Sequence, residues 1–205
     1  MMVRAQRALV SLAQDGEAEA RDEKGLVARA QAGDEEAFAA LIKIHMARVY
    51  RIAYRLCWDH DDADDITQDT FVQAFKHLRN FRLGANFAPW LYRIAVNRCL
   101  SHRAQRQRAR PSQPPIELPV HLCDDPEIHV AASETSSRVR EEIRRLPRRQ
   151  QAAIVLFGLE GWSVAETASI MGCSPGTVKR HLHRAKATLR ERLEDLQENA
   201  GGEGC

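Results

Sequence analysis

No stretch of this 205-residue chain approaches the roughly 18 consecutive apolar residues that a membrane-spanning helix requires, so direct membrane insertion is not expected. The opening stretch, MMVRAQRALVSLAQDGEAEA, has too short an apolar core and too many charges for a signal peptide. Cysteine is sparse and unpaired in spacing. Cys57, Cys99, Cys123, Cys173 and Cys205 make an odd set with no framework pattern, which points to a reduced, cytoplasmic chain. Catalytic signatures are missing as well: there is no glycine-rich phosphate loop, no nucleophile elbow and no zinc-spaced Cys/His cluster. His121, Cys123 and His129 in HLCDDPEIH are too loosely spaced for a metal site. An enzyme, a cofactor, a bound metal and a small-molecule substrate are therefore not expected. Strand alternation and internal repeats are also lacking, which leaves an all-α fold class.

What is present is charge, unevenly distributed. The net charge of +2 says little, but residues 138–192 hold twelve Lys and Arg against five Glu and no Asp. Residues 93–110 carry six Arg and no acid, whereas DHDDADDITQD (59–69) carries six Asp. Separate basic and acidic faces suit a chain that meets both nucleic acid and a basic protein surface.

Helical periodicity organises the rest. Residues 22–56 hold two helical patterns separated by AGDEE, with Gly33 ending the first and Asp34 placed to cap the second. Phe38, Leu41, Ile42, Val49, Ile52 and Leu56 form one apolar face, and His45 falls on it as a packed, hydrogen-bonded residue. Residues 61–79 form another helix, with Phe71, Phe75 and Leu78 expected inside. Asp62, Asp65, Asp69 and Gln73 are expected on the opposite side. NFRLGANFAP (80–89) reads as a loop and WLYRIAVNRCLSH (90–102) as a helix wedged into a bundle. Five of the eight prolines lie in 111–126, so a regular helix is excluded there and residues 105–136 read as an extended linker. Helical signals resume at 137, with Pro147 expected in the first turn of a second helix. The architecture is two small helical domains on a proline-rich tether. The limits are 22–104 and 137–194, with flexible ends at 1–21 and 195–205.

The second domain carries the most specific local pattern, GWSVAETASIMGCSPGTVKRHLHRAKATLRERL. Ser163 and Glu166 form a capping box, Gly172 ends the first helix, and Ser174 with Pro175 opens the second. The three-residue turn Gly172–Ser174 makes this a helix-turn-helix. Val178, Leu182, Ala185 and Leu189 face inward, while Thr177, Arg180, His183 and Arg184 face out with Lys179 and Lys186 beside them. Arg180 and Arg184 are placed for base edges, Lys179 and Lys186 for phosphates.

These pieces together resemble the extracytoplasmic-function (ECF) class of bacterial sigma factors, in the sigma-70 family. The resemblance rests on LVARAQAGDEEAFAALI, DADDITQDTFVQAF (62–75), FRLGANFAPWLYRIAVNRCL (81–100), LPRRQQAAIVL (146–156) and the helix-turn-helix, in this order over about 22–194. It implies a protein that binds core RNA polymerase and directs it to promoters in a stress or environmental response. Asp62, Asp65, Gln68, Asp69 and Gln73 would face the polymerase as carboxylate and amide partners for basic side chains. The segment 80–103 would read and open the −10 element through Asn80, Arg82, Asn86, Phe87, Trp90, Arg93, Asn97, Arg98 and Arg103. Thr177, Lys179, Arg180, His183, Arg184 and Lys186 would read the −35 element. An anti-sigma factor that clamps the two domains is a further implied partner. Three residues depart from the family's usual pattern: Arg180 and His181 stand where many relatives have Ser and Arg, and Thr167 replaces a branched aliphatic residue.

The rival reading is a response-regulator-like activator, because GTVKRHL also resembles the reading helix of that class. It requires an upstream receiver with alternating strands and helices, and residues 22–103 show helical periodicity alone.

Overall fold

A computed structural model describes residues 23–109 and 134–200, with side chains described for 23–102 and 137–194. The expectations for the N-terminal extension, most of the linker, His121, Cys123, His129 and Cys205 lie outside those residues.

Residues 23–31 form helix α1, which stops before Gly33 at φ 98°. Asp34 then caps α2 (Glu35–Cys57) by accepting from the Ala37 amide at 3.0 Å. The expected stripe is inside: Phe38, Leu41, Val49, Ile52 and Leu56 are buried and Ile42 partly so. His45 is buried among them, and its Nδ1 shares a 2.9 Å hydrogen bond with the Tyr92 hydroxyl. Burial pushes the Tyr92 phenol up to about 12, which keeps it protonated. Asp59 caps α3 (His60–Leu78) through the Asp62 amide.

Helix α3 corrects one expectation. Phe71 and Leu78 are buried, but Phe75 is 52% exposed. The buried stripe runs Ala63, Ile66, Thr70, Ala74, Leu78, and Phe75 falls at its margin. Its ring touches Phe38 edge-on at 5.1 Å and otherwise faces solvent.

Helix α4 (Phe87–Ala109) begins inside the segment expected to be loop, so the loop proper is residues 79–86. A proline in the first turn of a helix sacrifices no intrahelical hydrogen bond, which is why Pro89 does not delay the start. Leu91, Ala95, Val96 and Cys99 bury α4 against α2 and α3, and its outer side packs on the helix Val164–Met171 of the second domain. The expected wedge is thus a wedge between domains.

The second domain comprises α5 (Glu134–Arg144), α6 (Arg148–Ile154), a π-helical turn (Val155–Leu159), α7 (Val164–Met171) and α8 (Pro175–Ala200). Pro147 is the N-cap of α6 rather than a residue of its first turn. The π turn was not foreseen. It is closed by the Glu160 amide on the Val155 carbonyl at 2.9 Å. Helices α4 and α8 both continue past the expected domain limits, to Ala109 and Ala200. The residues concerned, QRQRA and DLQENA, include no Gly or Pro to stop a helix, and the next such residues are Pro111 and Gly201. Among the described residues there is no strand, only an isolated bridge between Leu83 and Ala85. No described helix is long and apolar enough to cross a membrane.

Candidate nucleic-acid interface

The helix-turn-helix forms from the local signals in its sequence. Ser163 and Glu166 satisfy each other's end of the capping box, with the Ser163 amide donating to Glu166 Oε2 at 2.9 Å and the Glu166 amide donating to Ser163 Oγ at 3.2 Å. The Ser163 hydroxyl, donating to Glu166 Oε2 at 2.6 Å, and then the Ser163 amide hold the Glu166 carboxyl below its usual range. Gly172 closes α7 at φ 63°, and the Thr177 amide donates to Ser174 Oγ at 3.2 Å to start α8. Val178, Leu182 and Ala185 are buried and Leu189 partly buried. Lys179, Arg180, His183, Arg184 and Lys186 are exposed along the other side, so all five lie on one open basic face. Thr177 is half-buried, and its hydroxyl accepts from the Arg180 guanidinium at 3.3 Å.

The loop 79–86 is built on a small aromatic cluster. Phe81 lies 5.8 Å from Phe87 and 4.9 Å from Trp90, centroid to centroid. Phe87 is buried and contacts His45, so it anchors the loop to the bundle, while Trp90 is half-buried. Gly84 at φ 106° turns the tip and leaves Leu83 exposed. Asn80, Arg82, Asn86, Arg93 and Asn97 are exposed around it. Arg98 is ion-paired with Asp69, which joins a residue expected at DNA to one expected at the polymerase. The side chain of Arg103 lies outside the described set. Between the loop and the N-terminal half of α7 are two adjoining cavities of about 400 and 530 Å³. Phe81, Leu83 and Phe87 line the first with Trp162, and Asn80, Arg82 and Trp90 line the second with Ser169; Asn86 and Glu166 line both.

The acidic row on α3 is split by the fold. Asp62 and Asp69 turn toward α4, where Asp62 lies 3.8 Å from His102 Nδ1 and Asp69 meets Arg98, and Gln73 is half-buried. Asp65 and Gln68 are fully on the outer face, next to the exposed apolar side chains of Val72 and Phe75. Among the described residues no group of three His, Cys, Asp or Glu is arranged to hold a metal ion.

Arg48, Arg51, Arg55, Glu160 and Trp162 were not singled out by sequence. The arginines are visible there as a basic row on α2, spaced three and four, but their partner lies more than a hundred residues away. Nothing local in the sequence connects the two.

A helix-turn-helix with an open basic face, joined to a helical bundle whose loop carries aromatic, amide and arginine side chains, defines a two-domain DNA-binding protein. Comparison with known proteins makes the class specific. The family model for sigma-70 region 2 matches residues 41–109, and that for sigma-70 region 4 matches residues 136–189. The ECF RNA polymerase sigma factor SigM of Mycobacterium tuberculosis is 36% identical over 173 residues, covering 84% of this chain and 85% of that protein. Two solved structures share the fold. CnrH in complex with the cytosolic domain of CnrY gives a TM-score of 0.63 at 26% identity, over 85% of this chain and 98% of that one. The sigma factor RpoE with the anti-sigma factor NepR, from Bartonella quintana, gives 0.60 at 26% identity, over 77% and 96%. The chain belongs to the sigma-70 family, in its ECF class.

Proposed function

We infer that this chain is a transcription initiation factor that binds core RNA polymerase and gives it promoter specificity, acting in the cytoplasm and without catalysis of its own. The observation that carries this is the pairing, in one chain and in family order, of the loop-bearing bundle with the open basic face of α8. A response-regulator activator would need a strand-built receiver where helices α1–α4 stand.

In this reading the domains extend over 22–104 and 137–194, joined by 105–136, with helical backbone continuing to Ala109 and Ala200. Arg180 and Arg184 read −35 base edges, and Lys179 and Lys186 hold phosphates, with Thr177 and His183 between them. The loop 79–86 and the start of α4 take the −10 element. Asn80, Arg82, Asn86 and Trp90 offer amide, guanidinium and aromatic groups to an unstacked base, and Arg93 and Asn97 lie along the strand's path. Phe87 supports the loop from behind, and Arg98 and Arg103 are assigned to the adjoining duplex. Asp65 and Gln68, with Val72 and Phe75, form the centre of the polymerase contact, flanked by Asp62, Asp69 and Gln73. An anti-sigma factor is proposed as the regulatory partner, since both solved relatives were captured with a protein partner and RpoE's is named an anti-sigma factor.

Run-off transcription with purified core polymerase and a genome-wide promoter set tests the assignment. Specific transcripts that depend on this chain are expected. A well-folded protein that supports none would refute it.

A further inference from the structure

Among the described residues, a densely bonded ion cluster lies between the domains, in neither expected DNA site. Glu160 follows the π turn, and its side chain is 0% exposed. Arg55 donates to Glu160 Oε1 at 2.6 Å, and Arg51 donates to the two carboxylate oxygens at 3.2 and 3.3 Å. Arg48 lies 3.5 Å from Oε2 and donates to the Glu160 backbone carbonyl at 3.1 Å, while Arg55 also takes the Leu159 carbonyl. The guanidinium of Arg48 then stacks on Trp162 at 4.4 Å, and Trp162 contacts Tyr92 at 5.5 Å.

One carboxylate shared by three arginines is a poor general stabiliser, because desolvating the charges offsets most of their attraction. It does fix one register of one surface on another. That register places Trp162 and Glu166 over the loop 79–86 and sets the Arg93 guanidinium against Gly172, where an added Cβ would come within 2.9 Å. Two side chains assigned to the −10 element, Asn86 and Arg93, thus face the helix-turn-helix. The exposed basic residues of α8 take no part in the contact.

We propose that Glu160 is a latch: seated in the Arg48–Arg51–Arg55 cradle, it holds the chain in a self-closed form that covers the −10 loop and leaves the −35 face open. This rests on the −10 assignment made above. It adds that closure is built into the free chain and needs no partner. A closed form of this kind binds −35 duplex at full strength. Its apparent affinity for the −10 strand is lowered by the fraction of molecules that are open.

The test uses the full chain and a promoter identified by run-off transcription. Glu160→Gln removes the latch from one side, and Arg48→Ala with Arg55→Ala loosens the cradle from the other. Circular dichroism confirms that both remain folded. Small-angle scattering should show both variants expanded relative to wild type. Fluorescence anisotropy should show the single-stranded non-template −10 segment bound about tenfold tighter, with −35 duplex affinity within about twofold of wild type. Folded variants that stay compact overturn the latch. Expansion with wild-type strand affinity overturns the occlusion. Expansion with no strand binding by any form, wild type included, overturns the −10 assignment of the loop and leaves the latch standing.

Discussion

Thr167 shows how a single departure from a family pattern becomes a physical statement. It is 0% exposed in α7, and its hydroxyl finds no hydrogen-bond partner among the described residues. A buried hydroxyl without a partner costs about 1–3 kcal/mol, and valine has nearly the same shape. Thr167→Val is therefore expected to stabilise the fold by about 1 kcal/mol, read from the urea midpoint at unchanged slope. Another departure, His181, is pH-sensitive. Burial first, then Arg149, Arg184 and Arg180, hold its imidazole below its ordinary value of 6.5. The unfolded chain therefore takes up a proton at higher pH than the folded one. The stability attached to this group is complete above 6.5 and is lost as pH falls through the lower folded value. His181→Gln should flatten that part of the stability profile; an unchanged slope below pH 6.5 would show that other groups govern it.

At the scale of the element, α8 separates two jobs by angle alone. Its inner side packs on α7 through Val178, Leu182 and Ala185, and its outer side presents Arg180 and Arg184. Because Arg184 is exposed, replacing it should leave stability within about 0.5 kcal/mol. On the cognate −35 duplex, Arg184→Ala should cost about 1–3 kcal/mol and relax preference at one base pair. Anisotropy titrations on cognate and altered duplexes decide this, and an equal loss on every sequence would reassign the residue to phosphate. Helix α3 makes a parallel division. Asp62 and Asp69 are engaged with α4, so the surface we propose for the polymerase contact is narrower and more apolar than six aspartates imply. That proposed surface consists of the exposed Asp65, Gln68, Val72 and Phe75.

At the scale of the whole molecule, the domains are joined by more than charge. Arg148 donates to the Leu100 carbonyl at 2.9 Å, and Gln151, buried, reaches the Leu56 carbonyl at 3.5 Å. Arg48 on Trp162 is a cation–π contact between residues more than a hundred positions apart. A double-mutant cycle of Arg48→Ala and Trp162→Ala should therefore give a coupling of about 0.5–1 kcal/mol in unfolding. Strict additivity would mean that the two domains unfold independently of this contact.

The sequence by itself determined what is local. The capping box at Ser163 and Glu166, the left-handed stop at Gly172, the cap at Ser174 and the buried stripe of α2 all follow from residues within a turn or two of one another, and each is present. The open basic face of α8 was equally legible, because angle along a helix depends only on spacing. The tertiary structure alone decided the rest. Phe75 is exposed because the buried stripe of α3 passes beside it, and Asp62 and Asp69 are engaged because α4 brings His102 and Arg98 to them. Glu160 reads in sequence as one more surface acid. It becomes the buried centre of the domain contact because a π turn in one domain meets three arginines on a helix of the other. Periodicity tells which way a side chain points on its own helix; what stands opposite it is set by how the helices pack.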